Sequence, residues 1–305
     1  MTAASPATRT DRLGEVGLTW HDSGQVSLRG PLLALLRDCD RAFLALAAAW
    51  RAVDEVHPAL IPAAALDRVG YLDSFPHLAN FAVALDAGDA NLEAFRAGEP
   101  VDPDGQVRLT RLAPVRELLT PAACYHLYPQ HEGEELGPVR YLTTRNTCFR
   151  RETHYQPLRR QRSFQMRELV CLGAREQVVA FLDRARTLTD RLLRALGLPV
   201  TWEIAHDPFF RPAENPQRLF QQVHATKQEA VYGGDLAVAS VNLHEDHFGA
   251  AFSITSTGAT ASSGCVAFGL ERWLFALTDR YGPHPATWPD VRAAARQALD
   301  EAAAP

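Results

Sequence analysis

The sequence predicts an α+β fold in which a mostly helical N-terminal part, residues 13–120, precedes an antiparallel sheet with a long inserted helix. Three observations predict it. Apolar residues recur every three or four positions from Pro31 to Val56, which is the spacing of a helix with one buried face. Segments rich in Tyr, Val, Thr and Phe and broken by Gly and Pro fill residues 122–173, as expected of strands. An amphipathic stretch at 175–196 ends in Gly197-Leu198-Pro199, a typical helix stop.

The other elements follow from shorter patterns. Residues 1–12 show no periodicity and are expected to form a flexible tail. Further helices are predicted at Pro62–Val69, Pro76–Leu85, Ala90–Ala97, Leu270–Tyr281 and Asp290–Ala303. Further strands are predicted at Val200–Ala205, Phe220–Tyr232, Leu236–Asn242 and Phe248–Ser256.

The composition excludes several classes of protein. Hydrophobic residues make up 47% of the 305 residues, which is enough for a core and too many for a disordered chain. The net charge of −5 argues against a dedicated nucleic-acid binder. No apolar run reaches the roughly 18 residues that span a bilayer, and no signal-peptide pattern opens the chain. The five cysteines are odd in number and scattered, which disfavours a disulfide framework. We therefore expect a cytoplasmic enzyme with no membrane partner.

One segment combines side chains that suit nucleotide chemistry. Phe149-Arg150-Arg151-Glu152 has an arginine and a carboxylate two positions apart, hence on one face of a strand. Such an arginine can fork onto a phosphate, and the carboxylate can accept from an amine. A loop with Arg159 and Arg160 separates this segment from Phe164-Gln165-Met166-Arg167-Glu168. Taken alone, the pattern also fits a solvated, salt-bridged hairpin.

A second segment, Ser262 to Arg272, leads from a predicted strand into a predicted helix. Its glycines allow a ligand to approach the backbone closely. Arg272 would lie near the helix N-terminus, which favours phosphate binding. Taken alone, the segment also fits an ordinary helix-start turn with a surface arginine.

In this order and separation, the two segments resemble motifs 2 and 3 of class II aminoacyl-tRNA synthetases, and above all those of the seryl type. The resemblance covers about Pro121 to Asp279, and Ser240-Val241-Asn242 is similar to the strand that precedes motif 3. It implies a class II antiparallel sheet flanked by helices. It also implies that residues 121–305, with the inserted helix 175–196, are the catalytic core.

Three residues narrow the resemblance to a subgroup. Cys124, Glu168 and Cys265 lie on three separate strand-like segments, 44 and 97 residues apart. They resemble the Cys/Glu/Cys set of the atypical zinc-containing seryl-tRNA synthetases and of their truncated relatives, the amino acid:[carrier protein] ligases. Two thiolates and a carboxylate suit Zn²⁺ and leave its fourth position open for a substrate amino group. Spacing alone would instead favour inert buried cysteines, which is how Cys39, Cys148 and Cys171 are interpreted.

The outer parts of the chain favour the carrier-protein ligases over the tRNA-charging relatives. About 120 residues precede the predicted core and no anticodon-binding domain is expected after it. Tyr71 to Pro76 and Pro121 to Tyr125 are also similar to the ligases. We therefore expect a phosphopantetheinylated carrier protein, and no tRNA, as partner. The resemblance also implies a homodimer, with motif 1 assigned to Leu109–Leu119.

The resemblance assigns roles to individual residues. Arg150 would hold the α-phosphate of ATP and the substrate carboxylate, and Arg272 would lie on one adenine face and clamp the γ-phosphate. Glu152 would accept from the adenine amino group, and Phe164 would stack under the ring. Further candidates on the ATP side are Arg159, Arg160, Lys227, Ser240 and Asn242.

The implied reaction joins a small amino acid, of the glycine or alanine type, to ATP with Mg²⁺ and forms an aminoacyl-adenylate. The aminoacyl group would then pass to the carrier's phosphopantetheine thiol. His224, His244 and His247 are either proton acceptors for this step or structural, and Arg184, Arg186 and Arg191 could attract an acidic carrier.

Two alternatives remain open. One is a seryl-type synthetase paralogue that charges tRNA or forms amides. The other is a non-catalytic paralogue that senses an amino acid, although the complete motif set argues against it.

Overall fold

The computed structural model describes residues 12–213 and 224–303. The strands in chain order are β1 (Leu18–His21), β2 (Gln25–Leu28), β3 (Val53–Glu55), β4 (Leu60–Pro62), β5 (Glu117–Leu119), β6 (Val139–Phe149), β7 (Ser163–Gly173), β8 (Val200–Ile204), β9 (Lys227–Tyr232), β10 (Leu236–Glu245), β11 (Thr255–Ser256), β12 (Ala259–Thr260) and β13 (Ser262–Gly269). The helices are α1 (Gly30–Ala48), α2 (Ala63–Arg68), α3 (Tyr71–Ser74), α4 (Asp89–Ala97), α5 (Leu127–Gln130), α6 (Arg175–Ala195), α7 (His247–Ala251), α8 (Leu270–Tyr281) and α9 (Val291–Ala303).

Seven of the described strands form one sheet in the order β3-β6-β7-β13-β10-β9-β8. All neighbouring pairs are antiparallel except β3 and β6, which are parallel. The sheet is therefore mixed at one edge, and the predicted α+β class with a largely antiparallel sheet is confirmed.

The two faces of the sheet are covered differently. Side chains alternate between faces along a strand, so Leu169 and Cys171 of β7 belong to the core cluster that also contains α1, α6, α8 and α9. Val170 and Leu172 point the other way, into a second cluster with Cys124 and Cys265. Glu168 shares their face because it is two residues from Val170. The helices thus bury one face and leave the opposite face for the candidate site.

The N-terminal part differs from its prediction on both sides of α1. The predicted helix Pro31–Val56 ends at Ala48, and β3 pairs with the parallel strand β6 at Val53–Glu55. Arg51, with φ of 53°, makes the intervening turn in the left-handed region. An unpredicted hairpin, β1 with β2, precedes α1. Five strands therefore accompany the helices of residues 13–120.

The predicted helix Pro76–Leu85 is wrong. Residues 76–78 form a turn, and the residues after them pair with a later segment through the bridges Phe81 to Leu118 and Leu85 to Leu112. Residues 81–117 form an arm in which no residue is buried. Leu109–Leu119, where we predicted motif 1, belongs to this arm and to β5, and β5 pairs with β4 outside the main sheet.

Three predictions in the core also need correction. The predicted strand Phe248–Ser256 is α7 followed by the short strand β11, because residues 247–251 form backbone bonds within one helical turn. Cys124 lies on a 3₁₀ turn, Cys124–His126, rather than on a strand. The predicted strand Phe220–Tyr232 begins at Lys227. Its residues 220–223, like the predicted tail up to residue 11, lie outside the described residues.

Candidate active site

One cavity of about 1160 Å³ opens on the face of the sheet that the long helices leave free. Every residue predicted for the site lines it: Cys124, Arg150, Glu152, Arg159, Arg160, Phe164, Glu168, Lys227, Ser240, Asn242, Cys265 and Arg272. They come from the turn before β6, the β6–β7 loop, strands β7, β9, β10 and β13, and the start of α8. The fold therefore assembles residues that are up to 148 positions apart in the chain.

The three candidate metal ligands meet at one end of the cavity. One donor atom from each of Cys124, Glu168 and Cys265 lies within 4.8 Å of the other two, and all three residues are buried. The backbone N–H groups of Ala123 and Cys124 donate to Glu168 Oε1 at 2.8 and 3.3 Å. Asn242 Nδ2 lies 3.4 Å from Cys265 Sγ, so Asn242 belongs to the end of the cavity with the thiols.

The donor set fits a thiophilic divalent cation. The Cys265 thiol as hydrogen-bond partner, burial and the Glu168 charge together raise the pKa of Cys124 well above its usual range. Two thiols and a carboxylate crowded in a buried place repel each other when ionised, and a cation removes that repulsion. Zn²⁺ is bound by this combination of sulfur and oxygen ligands.

His244 stands behind Cys265 and uses both ring nitrogens. Its Nε2 lies 3.6 Å from Cys265 Sγ. Its Nδ1 lies 3.2 Å from Tyr128 Oη and 3.0 Å from Ser263 Oγ. Burial lowers the pKa of His244 to about 4, so the ring is neutral near pH 7. Neither nitrogen is free to accept a proton from a substrate.

Two arginines face the opposite end of the cavity. The Arg150 guanidinium lies over the Phe164 ring at 5.2 Å, and its Nε donates to Pro121 O at 3.1 Å. Arg272 donates from Nε to Arg159 O and from Nη1 to Ala237 O, both at 3.0 Å. Burial, and after it the positive charge of Arg150, lower the pKa of Arg272 to about 10. An anion bound between the two guanidinium groups would relieve their mutual repulsion.

The loop between β6 and β7 folds its charges onto neighbouring carboxylates. Arg160 Nη1 contacts Glu152 Oε2 at 2.6 Å, and Arg159 Nη2 contacts Asp235 Oδ2 at 2.7 Å. The Arg159 guanidinium also lies 4.6 Å from the Phe275 ring centre. Glu152 and Asp235 are thus already engaged by positive charges of the chain itself.

Lys227 forms a charged group on the cavity wall. Its Nζ lies 2.6 Å from Asp207 Oδ1 and 3.2 Å from Glu229 Oε1. Burial alone would lower the pKa of Lys227, but the charges of Asp207 and then Glu229 outweigh it and raise that pKa. Asp207 and Glu229 also line the cavity, and sequence patterns had not singled them out because each is a lone carboxylate outside the motifs.

Glu271 is a further buried acid that the prediction did not use, although it precedes Arg272. Both of its carboxylate oxygens accept from the backbone N–H of Gln165, at 3.1 and 2.9 Å. Burial raises the pKa of Glu271 to about 7. It therefore links the start of α8, which carries Arg272, to the start of β7, which carries Phe164.

The remaining candidates are placed as follows. His244 and His247 line the cavity, whereas His224, although described, is not among its lining residues. His247 Nε2 lies 3.2 Å from Val69 O, which is a structural contact. On α6, Arg184 and Arg186 are exposed over the rings of Trp50 and Trp202.

Comparisons with known proteins identify the family of the chain. The family described as tRNA synthetase class II core domain (G, H, P, S and T) matches residues 117–281. "Amino acid--[acyl-carrier-protein] ligase 2" of Bradyrhizobium diazoefficiens is 34% identical over 76% of this chain and 71% of its own length. The "Type-2 serine--tRNA ligase" of Methanothermobacter thermautotrophicus is 26% identical over 78% of this chain and 49% of its own length.

The solved structures show the same fold. The complex of A. aeolicus tRNASec with M. kandleri SerRS is similar with a TM-score of 0.78 at 20% identity, covering 98% of this chain and 60% of that one. Within the described part of the chain, no helix is long and apolar enough to cross a membrane. The chain is a ligase with the class II synthetase core and belongs to the family of the amino acid–[acyl-carrier-protein] ligases.

Proposed function

We propose that the protein activates a small amino acid with ATP, releases pyrophosphate, and transfers the aminoacyl group to the phosphopantetheine thiol of a carrier protein. One observation supports this most: a single cavity has a sulfur and carboxylate donor set at one end and two anion-facing arginines at the other. The relatives named amino acid–[acyl-carrier-protein] ligase support carrier transfer.

The arginine end would bind ATP with Mg²⁺. Arg150 and Arg272 would hold the α- and γ-phosphates, and catalysis would consist mainly of positioning and charge stabilisation. Phe164 lies beside Arg150 and would stack under the adenine ring. Glu152 would accept from the adenine amino group after Arg160 has moved away, and Arg160 would then be free for an outer phosphate. Mg²⁺ would bridge phosphate oxygens.

The thiol end would hold Zn²⁺ on Cys124, Glu168 and Cys265. When bound, the ion would supply an open position for a substrate amino group and act as a Lewis acid. The chain's own contribution is to hold the three ligands together, which Ala123 and Cys124 do for Glu168 through their backbone N–H groups.

A substrate of the glycine or alanine type fits the surroundings of this end. Tyr125, His244, Phe248 and Lys227 line the cavity near the thiols, and all are bulky. Tyr125 and Phe248 pack edge to face with ring centres 5.7 Å apart, which fixes both rings. A small side chain needs no further space.

The transfer step requires no nucleophile from this protein, because the attacking sulfur belongs to the carrier. His244 already has partners for both ring nitrogens, and His247 Nε2 faces Val69 O, so we assign both residues structural roles. Exposed arginines of α6 would attract an acidic carrier protein. We further propose a homodimer, as the class II fold implies.

The test is ATP–pyrophosphate exchange with a panel of amino acids on the zinc-replete protein. The design compares Cys265→Ala with Cys171→Ala, a buried cysteine of β7 on the helix-covered face. We expect exchange with one or two small amino acids, lost in Cys265→Ala and retained in Cys171→Ala. Labelled amino acid should then pass to a phosphopantetheinylated carrier protein. Transfer to tRNA instead would indicate a synthetase, and no exchange at all would contradict the proposal.

A further inference from the structure

Cys265 differs from Cys124 in the hydrogen-bond donors around its sulfur. Asn242 Nδ2 at 3.4 Å and His244 Nε2 at 3.6 Å both lie within hydrogen-bond reach of Cys265 Sγ. Among residues 12–213 and 224–303, no nitrogen donor has a comparable contact with Cys124 Sγ. The two sulfurs of the donor set are therefore chemically unequal before any ion arrives.

The contacts on the far side of His244 suit a proton on Nε2. Tyr128 and Ser263 hydroxyls lie 3.2 and 3.0 Å from Nδ1, and hydroxyls can donate to an unprotonated ring nitrogen. A Cys265 thiolate can only accept, so beside it the one proton of the neutral ring is on Nε2, which faces Cys265 Sγ. A hydroxyl of Tyr128 or Ser263 then donates to His244 Nδ1, and His244 Nε2–H donates to the Cys265 thiolate.

Packing holds this chain of contacts in place. The Tyr128 ring stacks on Phe248 with centres 3.8 Å apart, and the His244 ring meets Phe248 edge to face at 5.0 Å. Tyr128 is fully buried. The hydroxyl of Tyr128 therefore has little freedom to leave Nδ1, and the ring of His244 has little freedom to turn from the sulfur.

We infer that His244 is a positioning residue that donates its Nε2–H to the Cys265 thiolate, with Tyr128 and Ser263 holding its tautomer. The inference rests on the proposed metal site. A donated hydrogen bond stabilises the thiolate over the thiol and fixes its direction. Less free energy is then lost in deprotonating and ordering this ligand when the ion binds, so the ion is held more tightly. Partners of this kind typically contribute about 10- to 100-fold in metal affinity.

The test measures zinc affinity by competition with a chromogenic chelator, together with the thiolate-to-metal absorption of the cobalt-substituted protein. Neither readout needs amino acid or ATP. His244→Leu should weaken zinc binding about 10- to 100-fold and shift the cobalt absorption. His244→Gln, which keeps an N–H donor at similar reach, should stay within a few-fold of wild type. Tyr128→Phe keeps the ring stack, loses the hydroxyl, and should weaken binding by a smaller factor.

A matched control separates this role from general damage. His247→Leu removes a histidine of the same cavity whose Nε2 faces Val69 O, and it should leave zinc affinity and the cobalt spectrum unchanged. Wild-type affinity and spectrum in His244→Leu would overturn the inference while the metal site stands. Should His244→Leu fail to fold, Tyr128→Phe decides by the same readouts. Wild-type protein that holds no zinc on the Cys265 thiol would overturn both proposals.

Discussion

The two ends of the cavity are prepared for their ligands in opposite ways. At the thiol end, the donor atoms of Cys124, Glu168 and Cys265 lie within 4.8 Å of one another, and all three residues are buried. Asn242 and His244 are already within hydrogen-bond reach of Cys265 Sγ. At the arginine end, the charged groups are occupied by substitutes: Glu152 by Arg160, and Arg272 by two backbone carbonyls. The thiol end is therefore already arranged to bind an ion, whereas groups at the arginine end must exchange their present contacts for those with a ligand.

The contrast has an energetic consequence. A preorganised site loses little free energy when its ligand binds, because its groups are already ordered in the folded protein. A site that exchanges contacts gains only the difference between the new bonds and the old ones. Loss of a metal ligand at the thiol end should therefore abolish its function, whereas substitutions in the β6–β7 loop should act gradually.

The largest effect is expected at the thiol end. Cys265→Ala removes a ligand and should abolish stoichiometric zinc and lower amino-acid-dependent exchange on the order of 1000-fold, equivalent to about 4 kcal/mol. Metal content and exchange are measured on the same sample, with Cys171→Ala as control. Exchange that survives without metal would show that the thiol end does not serve catalysis.

The buried arginine should come next. Arg272→Ala should lower kcat about 100- to 1000-fold, because a fixed positive charge facing the phosphates is lost in a buried place. Arg272→Lys should recover little, since a single ammonium cannot reproduce two directed donors. Steady-state kinetics with ATP varied provide the measurement, and a change confined to KM would contradict a role in the transition state.

The buried carboxyl group of Glu271 should make the stability of the fold depend on pH. Its pKa is raised from 4.5 to about 7 in the fold, so its protonated form is favoured there. This contribution to stability is fully present below pH 4.5 and is lost as pH rises through 7. Relative to Glu271→Gln, the wild-type free energy of unfolding should fall by about 3 kcal/mol across that interval. Urea unfolding of both proteins at pH 5 and pH 8 tests it, and an equal difference at both values would contradict the assignment.

The smallest effect is expected in the loop. Arg160 is 41% exposed at its side chain, and exposed ion pairs contribute about 1 kcal/mol or less. Arg160→Ala removes the contact proposed for an outer phosphate but also frees Glu152 from its ion pair, so it should raise KM for ATP by only about 3- to 10-fold. Arg159→Ala serves as the matched comparison, since its partner Asp235 is 70% exposed. A loss as large as that of Arg272→Ala would remove the distinction between the two ends.

The site could be predicted where the sequence pattern is local. Phe164, Glu168, Asn242 and Cys265 belong to continuous strands, where a period of two decides the face. Motif 2 and motif 3 keep their arginines within a few residues of recognisable glycines and aromatics. The cavity gathers all of these residues.

Other parts depended on contacts that are distant in the chain. β3 is only three residues long and exists because it pairs with β6, about 90 positions later. The residues after Phe248 have strand-like composition, yet local helical bonds prevail there. The sequence allows His244 to be a proton acceptor or a structural residue. Only the folded positions of Tyr128 and Cys265 show that both of its ring nitrogens have hydrogen-bond partners. Tertiary contacts thus decide β3 and His244, whereas after Phe248 local backbone bonds override the strand-like composition.

The pairing of β7 with β13 also determines when the cavity can exist during synthesis. Glu168 lies opposite Ala267, and Cys265 lies opposite Val170, so the two central strands meet only after the intervening segment has been made. Such non-local pairing is slow to form. A nascent chain that ends before β13 has Cys124 and Glu168 but no second thiol and no wall behind it. During synthesis, Cys265 therefore leaves the ribosome only a few residues before α8, the helix that carries Arg272.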